Sequence, residues 1–189
     1  MKMKRRILTT LIVIPALMLL AVVVGVGLWL FWPDANKLTR HSLRGDISGV
    51  RRCLAFGVDP NEPSRYGYKL HATGQTPLTA AAQGAHNEVI EILIEYGADP
   101  NLRDSGPEYP HETPLSTAAM MGHVETCQLL LGSGADPNIP TNIRQPAGSG
   151  GWTALDWALQ AEHPSVVELL KQHGAEVSGL RLIKGKPDR

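Results

Sequence analysis

Histidine is the residue type in this 189-residue chain that most invites a chemical role. Seven are present, and His86, His123 and His163 recur at one equivalent position of an internal repeat. Zinc requires its donors at about 2.0 to 2.1 Å from a common centre. Side chains repeated once per helical unit stand in a row about 8 to 10 Å apart, so the three imidazoles cannot converge, and they are expected to serve turns. His71 and His111 could meet between neighbouring loops, but two ligands without a nearby Cys or carboxylate pattern do not define a metal site. The chain has no Gly-x-Ser-x-Gly elbow, no His-Glu-x-x-His and no Gly-Lys-Ser/Thr phosphate loop. No catalytic residue, no metal site and no cofactor is therefore expected, and no small-molecule substrate. The alternative is a small exported metal-binding or enzymatic protein that uses the loop histidines.

A second set of side chains is suited to recognition. Arg65, Tyr66, Tyr68, Lys69 and His71 fall in one long loop, Arg103, Asp104, Glu108, Tyr109 and His111 in another, and Asn142, Arg144, Gln145 and Trp152 in a third. Tyr, Trp and Arg dominate the energetic centres of interfaces because they combine area with hydrogen bonding at low entropic cost. The residues expected to bind a partner are Arg65, Tyr66, Tyr68, Lys69, Arg103, Tyr109, His111, Arg144, Trp152 and Trp157. Met120 and Met121 join Trp157 on a second candidate surface, with core packing as the competing explanation. Pro63, Pro107, Pro110 and the Gly148 to Gly151 run would also suit loops that are merely tolerated.

The elements that must position these loops repeat. Gly97-Ala98-Asp99-Pro100-Asn101 returns as Gly57-Val58-Asp59-Pro60-Asn61 and Gly134-Ala135-Asp136-Pro137-Asn138, with a worn copy at Gly174 to Ser178. Thr76-Pro77-Leu78, Thr113-Pro114-Leu115 and Thr153-Ala154-Leu155 each lie 21 residues before the next such glycine. In the unit from Gln75 to Asn101, Thr76 can cap a helix and Pro77 suits its first position. Leu78, Ala81 and Ala82 supply the buried side, and Gly84-Ala85-His86 turns the chain back. Val89, Ile90, Leu93 and Ile94 form the apolar stripe of a second helix opposite Glu88, Glu91 and Glu95. Gly97 ends that helix and Pro100 prevents its resumption.

Thr-Pro-Leu, Ala-Ala, Gly122-His123, the Leu129-Leu130 and Leu169-Leu170 pairs and Gly-Ala-Asp-Pro-Asn together resemble the ankyrin repeat, a unit of about 33 residues with a β-turn and two helices. The resemblance covers residues 35–178, about four repeats of which the first is partial. It implies an all-α repeat solenoid, a helix-turn-helix stack with β-hairpin finger loops that binds proteins through its fingers and concave face. The first unit has Asn36-Lys37 where Thr-Pro would stand, as befits a cap that meets solvent. The family commonly has His after Thr-Pro-Leu, where this chain has Thr79, Ser116 and Asp156, so only part of the usual hydrogen-bond network is expected. From each closing Asn to the next Thr there are 15, 12 and 15 residues, against the about 8 that the resemblance implies. All three fingers are enlarged, and insertions in solenoids map to one face, often the binding face.

Ahead of the repeats, residues 7–32 contain no charged side chain. At about 1.5 Å per residue this stretch makes roughly 39 Å of helix, enough to cross a hydrocarbon core of about 30 Å. A cleaved signal usually has an apolar core of only about 7 to 15 residues, so an uncleaved transmembrane signal anchor is expected, with Trp29, Phe31 and Trp32 at the headgroup level. The basic residues of 1–6 favour a cytoplasmic N-terminus and an exported repeat domain. Their bacterial character points to a single-pass inner-membrane protein with residues 35–178 in the periplasm and 179–189 as a tail. Beyond residue 32, 14 basic residues face 18 acidic ones without a basic stripe, so no nucleic-acid partner is expected. Cys53 and Cys127 sit in separate units, too far apart to pair, and are expected in the core. The whole reads as a membrane-tethered protein-protein interaction scaffold.

Overall fold

The computed structural model describes residues 33–65, 74–105, 111–141 and 151–178. The chain divides into two compact units, Met1–Pro33 and Asp34–Arg189, and the second is the one described here. Among the described residues the regular structure is helical: α1 (Ala35–Arg44), α2 (Ile47–Ala55), α3 (Pro77–Gln83), α4 (Asn87–Glu95), α5 (Pro114–Met121), α6 (Val124–Gly132), α7 (Ala154–Gln160) and α8 (Pro164–Gln172). Each odd-numbered helix forms a hairpin with the next, and α1, α3, α5 and α7 pack successively on one another as α2, α4, α6 and α8 do. This is an all-α stack of four helical pairs. No helix among the described residues is long and apolar enough to cross a membrane; the proposed anchor, 7–32, lies outside them.

Local chemistry explains the helix starts. Thr76, Thr113 and Thr153 cap α3, α5 and α7, each accepting the amide three residues on through its hydroxyl. Ser116 and Asp156 close reciprocal capping boxes with Thr113 and Thr153, and the hydroxyls of Thr76 and Thr79 lie 2.9 Å apart. The non-histidine residues at this position thus make local cap bonds. In the first unit, where Asn36-Lys37 replace Thr-Pro, the helix begins at Ala35 and is capped by Asp34, whose Oδ1 accepts the Lys37 amide at 2.8 Å. Asn36 serves the following loop instead, accepting the Arg65 amide at 2.7 Å.

The core is one leucine deep in every short first helix: Leu38, Leu78, Leu115 and Leu155 are fully buried, against Val50, Ile90, Leu93, Leu130 and Leu170 from the second helices. Burying one such side chain contributes about 1.5 to 3 kcal/mol. Ala81, Ala82, Ala118 and Ala119 are also fully buried; with only a methyl each, they let the neighbouring backbones come close. Cys53 and Cys127 are buried free thiols on α2 and α6.

Two polar ladders join successive units. The His86 Nε2–H donates to the Leu43 carbonyl at 3.1 Å, His123 to Gln83 at 3.2 Å and His163 to Met120 at 3.1 Å. These turn histidines satisfy carbonyls at the ends of the preceding first helices, which the helices leave without internal partners. The His163 ring covers Gly122 so closely that a Cβ there would come within 2.7 Å of it, and Gly122 also has φ 77°. The second ladder uses the repeated asparagines. Asn61 donates to the Gly97 carbonyl at 2.9 Å and accepts the Asp99 amide at 2.8 Å. Asn101 does the same to Gly134 and Asp136, and Asn138 to Gly174 and Glu176.

Candidate partner-binding loops

Each enlarged loop is closed at its base by main-chain bonds between equivalent residues. Ser64 donates to Gln75 at 2.9 Å, Asp104 to Glu112 at 2.9 Å, and Thr141 exchanges both bonds with Trp152 at 2.7 and 2.9 Å. Among the described residues the expected β-hairpins reduce to these closures; the only bridge is Thr141 with Trp152. The first two bases are also stitched together, since the Ser105 amide donates to the Gly74 carbonyl at 2.8 Å.

The second base is buried and acidic. Asp104 is 1% exposed, and its Oδ1 accepts the Thr76 amide at 2.9 Å, so a residue of one loop helps cap the helix that follows the preceding loop. Burial pushes the Asp104 carboxyl up to about 7, opposed by hydrogen bonds from the Thr76 amide and Thr79 and reinforced by the charge of Glu112. Glu112 is also raised by burial, against a hydrogen bond from Thr117 that measures 3.0 Å. His111, at φ 52°, donates from Nδ1 to the Asp104 carbonyl at 3.0 Å. By its sequence Asp104 belongs to the loop, whereas in the structure it is a buried anchor. Its register marks this: it stands three residues past the repeat's asparagine, as do Ser64 and Thr141, both buried.

The third base is a tryptophan lock. Trp157 Nε1 donates to Thr141 Oγ1 at 2.8 Å, and that hydroxyl donates to the Trp152 carbonyl at 2.9 Å. The two indole rings lie 4.7 Å apart, tilted by 59°. Trp152 is 8% exposed, and Trp157 is half-buried. Gly151, at φ 43°, admits no side chain, because a Cβ would lie 2.6 Å from the Thr141 carbonyl oxygen.

Of the other recognition candidates, Arg65 and Arg103 are exposed beside the first two bases, and Arg65 pairs with Glu62. Met121 is 41% exposed and Met120 half-buried. Tyr66, Tyr68, Lys69, Tyr109 and Arg144 lie outside the described residues, as does His71. Among the described residues no group of three or more His, Cys, Asp or Glu side chains could hold a metal ion.

A stack of helical hairpins with a loop closed at its base at each junction is the architecture of a repeat protein. The family model for ankyrin repeats in three copies matches residues 38–141 and 112–179, and the chain belongs to the ankyrin repeat family. Cyclin-dependent kinase 4 inhibitor B of Bos taurus is 37% identical over 71 residues, 38% of this chain and 47% of that protein. The ankyrin repeat protein YahD of Escherichia coli (strain K12) is 38% identical over 61 residues, 32% of this chain and 27% of that protein. The chain spans less than half the length of the curated relatives it matches.

Proposed function

We propose that this chain is a membrane-tethered scaffold that binds a protein partner through its three enlarged loops, without catalysis. The observation that carries this reading is the way the loops are mounted. Each starts from a base tied into the stack by buried groups, Asp104 and Glu112 in one and Thr141 with Trp152 in another, and recognition loops gain precision from rigid support. Arg65, Tyr66, Tyr68, Lys69, Arg103, Tyr109, His111 and Arg144 are the contact residues of this reading, with Trp152 and Trp157 holding the third loop in place. The family supports binding as the mode of action, and the kinase inhibitor among the relatives bears a name that describes restraint of another enzyme. The charge-free stretch 7–32 supports the tether, and the basic start supports a bacterial inner membrane with the repeats in the periplasm.

Photo-crosslinking in cells from positions 68 and 109, with exposed Glu91 on α4 as control, tests the reading. A discrete protein adduct from the loop positions alone is expected. Equal adducts from Glu91, or none from the loops, would overturn it. Changing Tyr66, Tyr68, Tyr109 and Arg103 to Ala should lower partner recovery at least about tenfold while leaving the helical stack folded, since about 1.4 kcal/mol of lost binding is tenfold in affinity.

A further inference from the structure

The described residues divide their charge unevenly along the stack. Between 33 and 65, six basic side chains (Lys37, Arg40, Arg44, Arg51, Arg52, Arg65) face four acidic ones (Asp34, Asp46, Asp59, Glu62). From 74 to 178 the described basic residues are Arg103 and Lys171, against twelve carboxylates. Stacking of similar units does not require such a division. Arg40, Arg44, Arg51 and Arg52 are all exposed, and the ion pairs of this unit join other residues, His41 to Asp46 and Arg65 to Glu62. Arg40 and Arg44 are one turn apart on α1, away from its buried Ala35, Leu38 and Ser42. Arg51 and Arg52 lie on α2 away from its buried Val50, Cys53 and Leu54. Phe56, one turn beyond Arg52, is 57% exposed.

The position of this unit in the sequence suggests what these groups meet. The charge-free stretch ends at Trp32, two residues before Asp34 opens the second unit. Arg40 and Arg44 follow that stretch by only eight and twelve residues of chain. Exposed guanidinium groups in the first repeat unit complement an anionic bilayer surface, whose field decays over roughly 10 Å.

We propose that the first repeat unit is a docking surface for anionic phospholipid headgroups, with Arg40, Arg44, Arg51 and Arg52 meeting the phosphates and Phe56 adding an apolar contact. Arginine suits this role because its planar fork donates two parallel hydrogen bonds to phosphate oxygens. The proposal rests on the tether reading, which brings the unit to the bilayer. The first repeat would then orient the stack and leave the acidic later units for the partner.

The test uses the full chain in nanodiscs of phosphatidylcholine alone or with phosphatidylglycerol, treated with the arginine reagent phenylglyoxal and read by mass spectrometry. Arg103, exposed on a later unit, is the internal control. Modification of the four arginines relative to Arg103 should slow at least about threefold in the anionic discs and recover in high salt, where the screening length falls to about 3 Å. Equal relative rates in the two lipids would overturn the proposal. Should the chain fail to enter neutral discs, the tether reading fails separately. Flotation with phosphatidylglycerol vesicles then decides the docking surface: salt-sensitive flotation supports it, and no flotation overturns it.

Discussion

At the scale of single residues, Asp104 carries the most specific consequence. Its folded carboxyl titrates at about 7, above the about 3.9 of an unfolded aspartate, so the folded state binds the proton more tightly. The stability it confers is fully present below the unfolded value and is lost as pH rises toward 7. Glu112 is shifted in the same direction by burial. Urea midpoints of the native chain are therefore expected to fall between about pH 4 and pH 7, and Asp104→Asn, which keeps an acceptor for the Thr76 amide and cannot ionise, should flatten that fall. Identical slopes in the two proteins would contradict the assignment. Asp46 acts oppositely: the Gly49 amide and the Ser48 hydroxyl, with His41 beside them, hold it at about 2, so its contribution survives until strongly acid pH. A different residue effect comes from Ala85 and Glu162, which occupy left-handed backbone at φ 54° and 60°, where Gly45 and Gly122 stand in the other units. Ala85→Gly should raise stability by about 1 kcal/mol by removing that strain, read as an increased urea midpoint.

At the scale of elements, the helices were legible because their signals are local. Thr caps, proline at the first position and left-handed turn residues act within three or four positions, and the apolar periodicity names the buried side. The first helix lacks the Thr-Pro signal and starts two residues earlier than that register, at Ala35, because Asp34 is a good cap. The links between elements are less local. Asn101 reaches the Gly134 carbonyl at 3.1 Å and the Asp136 amide at 2.7 Å, so one side chain satisfies two backbone groups of the next unit. Asn101→Ala should cost about 1 to 3 kcal/mol. It should also weaken coupling between the second and third units, visible as a broadened unfolding transition with a lower denaturant slope. An unchanged transition would mean that water replaces both bonds without loss.

For the whole molecule, the packed units share one core, and both thiols lie inside it. Burial raises Cys53 and pushes Cys127 up to about 12, and a thiol that is neither ionised nor accessible does not react. Modification by a disulfide reagent should therefore follow opening of the stack, with both cysteines silent in native buffer and reactive together once urea passes the transition. Rapid native reaction of either would indicate that its unit opens separately, as repeat arrays can do.

The repeat register, the helical pairs, the long junctions and the family can all be read from residue order, because each depends on neighbours a few residues apart or on recurrence. Which loop residues are spent on the scaffold depends on packing. Asp104 and Trp152 read as recognition residues in the sequence, yet Asp104 is buried against Thr76, 28 residues away, and Trp152 lies against Trp157. Burial depends on what packs from distant parts of the chain. A polar or aromatic side chain has the same local signature whether it meets a partner or the base of its own loop.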